Sequence, residues 1–90
     1  MEIEFDPAKR ERTLAERNLD FADAGKVFAV HHFTDLDMRS DYPEPRFVSF
    51  GKLDDRLVVL VWTMRGTARR IISMRKANDR EIARYAPRLD

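Results

Sequence analysis

Cysteine is absent from this chain of 90 residues, which excludes disulfide bonds and thiolate metal sites. Glycine occurs only three times, and the sequence contains no glycine-rich phosphate-binding loop. No apolar run approaches the roughly 18 residues of a membrane-spanning helix, and the charged N-terminal segment lacks the apolar core of a secretion signal. We therefore expect a single cytoplasmic domain over residues 1–90, with no membrane contact and no cofactor.

The net charge of +1 conceals an uneven distribution along the chain. Residues 1–63 contain nine Lys and Arg against thirteen Asp and Glu, a balance of −4, whereas residues 64–90 contain eight against three, a balance of +5. A basic end on a nearly neutral chain favours a local site for a polyanion. The alternative is an ordinary solvated charged face.

Three consecutive apolar patterns predict an antiparallel meander: Arg46–Lys52, Leu57–Met64 and Ala68–Arg75. The links between them, residues 53–56 and 65–67, are short and contain turn-forming residues. The middle pattern is apolar on both faces, which is typical of a central strand. Strict alternation in the third pattern places Arg69, Ile71, Ser73 and Arg75 on one face, and Arg70, Ile72, Met74 and Lys76 on the other.

Other elements are predicted around this meander from caps and periodicity. They are a strand at Glu2–Phe5, helices at Pro7–Arg17 and Phe21–Phe28, a short strand at Val30–Thr34, a polar loop over residues 34–45, and a C-terminal helix that begins at the cap Asn78. The sequence therefore predicts an α+β fold with two N-terminal helices, an antiparallel sheet of about four strands and a C-terminal helix.

Several stretches resemble the BrnT family of bacterial type II toxins, in the family's order: FDPAK, LDFADAGKVF, RFVSFGK, VVLVWTMRG and RIISMRKA. That family is similar to the RelE superfamily of small toxins. The resemblance implies a compact RelE-like fold and a metal-independent endoribonuclease that cleaves mRNA and blocks translation. It also implies a BrnA-like antitoxin with a dimeric ribbon–helix–helix domain, and hence a hetero-oligomer of toxin and antitoxin.

Two positions depart from the family pattern. Where the family often has Lys-His-Gly between its first two helices, this chain has Glu16, Arg17 and Asn18, and its early aromatic residue is Phe5 rather than Trp. The first change removes an imidazole, so any role of that histidine does not carry over.

RNA cleavage of this kind requires activation of the 2′-oxygen, stabilisation of the phosphorane charge and protonation of the leaving 5′-oxygen. The resemblance makes Arg65 and Arg75 the matching candidates for catalysis. A guanidinium stays protonated, so we expect it to bind phosphate rather than act as a base. A tight link joins the two strands, so Arg65 and Arg75 should lie at opposite ends of the ladder. Glu81 is a candidate general base or, alternatively, only a capping partner of Asn78.

The candidate RNA contacts lie on the last strand and helix: Arg69, Arg70, Ser73, Lys76 and Tyr85. Each has a structural alternative. The two arginines could instead contact an antitoxin or form a polar rim, and the lysine could protect a strand edge from aggregation. The serine and the tyrosine could simply fill space in the packing.

His31 and His32 are further candidates for proton transfer, because histidine titrates near neutral pH. In a strand the two would point to opposite faces. Asp35, Asp37 and Asp41 faintly resemble a calcium loop, but the glycine and the final glutamate are missing, so we predict no metal site.

Two other functions stay open on the sequence alone. The chain could be a degenerate toxin that only holds an antitoxin, or a small nucleic-acid-binding protein without turnover. Growth arrest relieved by a neighbouring gene would favour the enzyme. Salt-sensitive nucleic-acid binding without cleavage products would favour the third function.

Overall fold

A five-stranded mixed sheet forms the centre of the protein, in a computed structural model that describes residues 1–39 and 41–89. Its strands lie in the order β1-β5-β4-β3-β2, and β1 runs parallel to β5 while all other neighbours are antiparallel. The strands are β1 (Glu2–Phe5), β2 (His32–Leu36), β3 (Phe47–Leu53), β4 (Arg56–Arg65) and β5 (Ala68–Lys76). The helices are α1 (Pro7–Arg17), α2 (Ala24–Phe28) and α3 (Asp79–Tyr85), with 3-10 turns at Phe21–Asp23 and Ala86–Arg88.

The turns and caps follow from residue types that were visible in the sequence. Asp54 and Asp55 both have positive φ, 51° and 65°, as a tight two-residue hairpin turn requires. Gly66 has φ 61° in the second link. Asn18 ends α1 in the left-handed conformation, with φ 56°, which asparagine adopts more readily than most residues.

Alternate residues of β4 face two different layers. Val58, Leu60 and Trp62 point to the side that α2 and the 3-10 turn before it cover, where Phe21 and Met74 complete the main core. We call this side the helix face. Val59 and its alternates Val61 and Thr63 point to the opposite side, the groove face, where α3 supplies Tyr85 to a smaller apolar cluster.

A β-bulge in β5 overturns the predicted alternation of that strand. Ser73 pairs with Val61 but Ile71 pairs with the next residue, Trp62, so Ile72 is the extra residue. Before and after a bulge the parity of the side chains changes. As a result Arg70, Ser73 and Arg75 lie on the groove face, whereas Arg69, Ile71 and Met74 lie on the helix face.

The α+β class, the three-strand meander and the capped C-terminal helix are confirmed. The sheet has five strands and is mixed rather than antiparallel with about four, because β1 joins the edge beside β5. The strand predicted at Val30–Thr34 lies at His32–Leu36, so the predicted polar loop begins later. The second predicted helix is a 3-10 turn followed by a short α-helix.

Candidate active site

A groove of about 320 Å³ opens on the groove face beside α3. Apolar side chains of β3 and β4 line its floor. One wall comes from β5 and α3, and the other comes from the end of β2 and the residues that follow it. The lining includes Val48, Val59 and Val61 on the floor, Ser73, Arg75, Glu81 and Tyr85 on the first wall, and Asp35, Asp37 and Arg39 on the second.

Arg75 and Glu81 form a bidentate ion pair on the first wall. The Arg75 Nη1 and Nη2 atoms donate to the two carboxylate oxygens of Glu81, each at 2.8 Å. The same carboxylate accepts a bond of 2.9 Å from the backbone N–H of Asn78, which completes the capping box of α3. The side chain of Glu81 is thus fixed from two directions, and it fixes Arg75 in turn.

The pKa of Glu81 is lowered chiefly by the hydrogen bonds from Arg75, which outweigh the opposing effect of burial. The same pair raises the pKa of Arg75. A carboxylate with a lowered pKa is ionised at neutral pH and is a weaker base than usual. Glu81 is therefore better placed to hold Arg75 in position than to accept a proton.

A second ion pair of the same design lies on the other wall. Arg39 donates through Nε and Nη2 to the two oxygens of Asp37, each at 2.8 Å, and its backbone N–H donates to Asp37 Oδ1 at 3.2 Å. The Asp37 side chain is 1% exposed, whereas that of Arg39 is 69% exposed. These hydrogen bonds lower the pKa of Asp37. Arg39 was not among the predicted site residues, since an Asp-x-Arg in a polar loop is too common a pattern to single out.

The two guanidinium groups act on each other across the groove. The charge of Arg39 opposes the protonation of Arg75 and so offsets part of the rise in the pKa of Arg75. Both side chains line the same cavity. An anion in the groove would therefore meet a guanidinium on each wall, each already paired with a carboxylate, and the carboxylate of Asp35 lines the groove as well.

Arg65 and Arg70 lie on the same face as Arg75 but outside the groove. Arg65 pairs with Ala68 and Arg75 with Val59, so the two arginines stand six residues apart along β4, or roughly 20 Å. The prediction that they occupy opposite ends of the ladder is confirmed. Each has an acidic neighbour: Arg65 Nη2 lies 3.9 Å from Glu44 Oε1, and Arg70 Nη1 donates to Glu4 Oε1 at 2.7 Å.

The remaining predicted RNA contacts are separated by the sheet. Arg69 lies on the helix face, where its Cζ stands 4.3 Å from the ring centroid of Phe28 and 4.6 Å from that of Trp62. Lys76 is exposed on that face. Tyr85 lines the groove but is only 8% exposed and stacks on Phe50 at 4.2 Å, which is a packing arrangement. Ser73 also lines the groove, two residues before Arg75 on the same face of β5.

Neither His31 nor His32 lines the groove. His32 packs edge-on against Phe28 on the helix face, and its Nδ1 lies 2.7 Å from the Val30 carbonyl oxygen. His31 contacts the ring of Phe33, a residue of the smaller cluster on the groove face. Among residues 1–39 and 41–89, no group of His, Asp and Glu is arranged to hold a metal ion. No helix in these ranges is long and apolar enough to cross a membrane.

The protein is thus a small α+β domain whose groove has a guanidinium on each wall. Residues 5–81 match the family model described as "Ribonuclease toxin, BrnT, of type II toxin-antitoxin system", and the chain belongs to that family. It is a toxin with ribonuclease activity, and the type II system implies an antitoxin partner. The matched range includes Arg39, Arg75 and Glu81 but ends before Tyr85. No curated protein matches the chain.

The pairs of carboxylates with arginines predict how stability depends on pH. Hydrogen bonds from arginines lower the pKa of Asp20, Asp37 and Glu81 below the ordinary values of 3.8 for aspartate and 4.5 for glutamate. A lowered folded-state pKa stabilises the fold above the unfolded pKa, and this contribution is lost as the pH falls through the folded pKa. The unfolding free energy should therefore be steady near neutral pH and decline below about pH 4.5.

Thermal melts over an acid pH series measure this dependence. The variant Asp37→Asn, which cannot titrate at that position, should show a shallower decline than the wild type. Identical acid slopes for the two proteins would contradict the contribution assigned to Asp37.

Proposed function

We propose that this toxin is a metal-independent endoribonuclease that cleaves mRNA in the groove and thereby blocks translation. The observation that carries the proposal is the position of Arg75, which Glu81 fixes on the wall of an open groove with a second guanidinium opposite. Preorganised cations aimed at a developing charge are among the strongest sources of catalysis. Family membership supports ribonuclease activity, and the groove supports the site.

The chemistry needs no redox step or cofactor. The ribose 2′-hydroxyl loses its proton and its oxygen attacks the adjacent phosphorus. The bond from phosphorus to the 5′-oxygen then breaks, and the leaving oxygen takes up a proton. The products are a 2′,3′-cyclic phosphate and a 5′-hydroxyl end. Arg75 stabilises the extra negative charge of the phosphorane through its fork of N–H donors.

The other predicted residues take distinct parts in this proposal. Ser73 offers a hydroxyl beside Arg75, where it can bond a phosphate or ribose oxygen. Glu81 positions Arg75 rather than removing the proton. Arg65 and Arg70 lie on the same face beyond the groove, so we assign them to the RNA backbone on either side of the cleaved bond.

The antitoxin is proposed to be a BrnA-like protein with a dimeric ribbon–helix–helix domain, which would give a hetero-oligomer with the toxin. This part of the proposal rests on the resemblance to the family and on the match that implies an antitoxin.

Cleavage of an end-labelled RNA by the purified protein tests the proposal. We expect products ending in 2′,3′-cyclic phosphate, in equal amounts with and without EDTA, and none after addition of the antitoxin. A substrate with a 2′-deoxyribose at the cleaved position should resist, because the nucleophile is missing. Activity that EDTA abolishes, or that survives the 2′-deoxy substitution, would contradict the mechanism.

One observation favours the alternative of a non-catalytic module that only binds an antitoxin. Arg65, Arg70 and Arg75 each lie within ion-pair distance of a carboxylate, which reduces the positive potential available to RNA. Tight antitoxin binding without any RNA cleavage would establish that alternative.

A further inference from the structure

We infer that Arg39 is a second phosphate-binding residue of the groove, and that Asp37 is its positioning residue, so that a phosphodiester of single-stranded RNA lies between Arg39 and Arg75. This inference rests on the proposed function. It adds a residue on the far wall, contributed by the segment after β2 rather than by the last strand and helix.

The two side chains of the second ion pair differ sharply in exposure. A carboxylate is costly to bury unless it is paired, and the side chain of Asp37 is 1% exposed. Its backbone N–H also donates to the Arg46 carbonyl oxygen at 2.7 Å, so the main chain is held as well. Because the carboxylate of Asp37 is buried and held in place, its two hydrogen bonds fix the orientation of the exposed Arg39 guanidinium.

Arg39 has more hydrogen-bond donors than its ion pair uses. A guanidinium has five N–H donors, and the side chains of Asp37 and Tyr42, which both bond Arg39, leave others for a ligand. Burial does not stand in the way, because the side chain is 69% exposed at the groove. The bidentate grip also lowers the entropy lost when a ligand binds, since the side chain is already ordered.

The two walls of the groove carry ion pairs of the same geometry. Arg75 with Glu81 and Arg39 with Asp37 are both bidentate pairs at 2.8 Å, and they line one cavity. The floor between them is apolar, with Val48, Val59 and Val61, which suits the flat face of a base or a ribose ring. At about 320 Å³ the groove is at the small end of ligand sites, which fits a single nucleotide. A nucleotide chain alternates phosphates with flat rings, so it matches charged walls and an apolar floor better than an acidic peptide does.

Binding of a 2′-O-methyl oligoribonucleotide, which cannot be cleaved, tests the inference by fluorescence anisotropy over a series of salt concentrations. Arg39→Ala should weaken binding roughly tenfold or more at low salt, because a charge-assisted contact is lost. The slope of log affinity against log salt should become shallower by about 0.7, the value for one phosphate contact on a single strand. Arg39→Lys should keep the slope but not the full affinity, because it lacks the fork.

Arg56→Ala is the matched control, since Arg56 is exposed in β4 near the hairpin turn and lies outside the groove lining. It should leave affinity and slope unchanged. For Asp37, the variant Asp37→Asn should weaken RNA binding in the wild-type background but have no further effect when Arg39 is already alanine. A purely structural role of Asp37 would weaken binding in both backgrounds, and that result would overturn its assignment.

The possible results distinguish a failure of this inference from a failure of the proposed ribonuclease function. If the wild type binds the RNA and Arg39→Ala binds equally well with the same slope, the inference about Arg39 is overturned while the proposed function stands. If the wild type neither binds nor cleaves RNA, both are overturned. If Arg39→Ala loses affinity for the antitoxin but not for RNA, the second wall is a protein-binding surface and the inference is again overturned.

Discussion

Replacing Arg75 with alanine should abolish growth arrest and slow RNA cleavage by roughly 10²–10³-fold, the usual effect of removing one preorganised donor from a developing oxyanion. The domain should still fold. The Arg75 side chain is 43% exposed, and a partly exposed ion pair contributes at most about 1 kcal/mol to stability. Glu81 also keeps its bond from the Asn78 backbone, so the cap of α3 survives. Single-turnover cleavage rates and melting temperatures of the purified proteins measure both parts.

Two further variants sharpen this test. Arg75→Lys keeps the charge without the fork and should fall between the wild type and the alanine variant. Arg80→Ala removes an exposed arginine in the first turn of α3 that does not line the groove, and this variant should retain full activity. Full toxicity of Arg75→Ala at an unchanged melting temperature would remove Arg75 from the mechanism.

Local chemistry made much of the fold predictable. The turn at Asp54 and Asp55, the stop at Asn18 and the cap at Asn78 each depend on residues that are neighbours in the sequence. The pairing of β1 with β5 could not be read this way, because it joins segments more than sixty residues apart through backbone bonds that leave no residue signature. β2 was displaced in the prediction because it is a largely exposed edge strand with weak alternation.

The bulge in β5 shows why the faces of one strand were assigned wrongly. Alternation holds only while each residue has one partner, and the extra residue Ile72 shifts the parity between Ile71 and Ser73. That shift places Arg70 on the same face as Ser73 and Arg75, and sends Arg69 to the other face. A single unpaired residue thus decides which arginines can share a substrate.

The candidate site was predictable in part. Arg75 and Glu81 were singled out separately, and the capping pattern already described the alternative role of Glu81. Their direct contact was not foreseen, because it depends on how α3 packs against the groove face, where Tyr85 stacks on Phe50. Arg39 escaped notice because no periodicity marks a loop residue, and only the fold brings it opposite Arg75.

The charge segregation along the chain has a different meaning in three dimensions. Acidic residues of the early part reach the basic strand, with Glu4 beside Arg70 and Glu44 beside Arg65. The protein therefore does not present one uniformly basic surface at these positions. What is left at the groove is two ordered ion pairs whose guanidinium groups still have donors to offer. Such a site relies on orientation more than on attraction over long distances.

Replacing Glu81 with glutamine should preserve most of the cleavage activity, whereas Glu81→Ala should lose roughly 10²-fold. Glutamine keeps a carbonyl oxygen that can accept from Arg75, and it removes one negative charge from the groove. RNA binding should therefore tighten in Glu81→Gln, because the charge of Arg75 is no longer neutralised by its partner. In Glu81→Ala, Arg75 loses the carboxylate that holds it on the wall, and the capping box loses the bond from the Asn78 backbone N–H. Cleavage rates and affinities for a non-cleavable RNA measure the two effects separately.

A general base would behave differently, and this makes the comparison decisive. If Glu81 removed the proton of the 2′-hydroxyl, glutamine would be as damaging as alanine, by about 10²–10⁴-fold, since neither can accept a proton. Asp35→Asn is the matched control for charge. Asp35 lines the opposite wall, so this variant also removes one negative charge from the groove but leaves the partner of Arg75 in place. Equal inactivity of the two Glu81 variants, with melting temperatures near that of the wild type, would make Glu81 the base. Retained activity in glutamine alone would establish that the carboxylate acts through the arginine it holds.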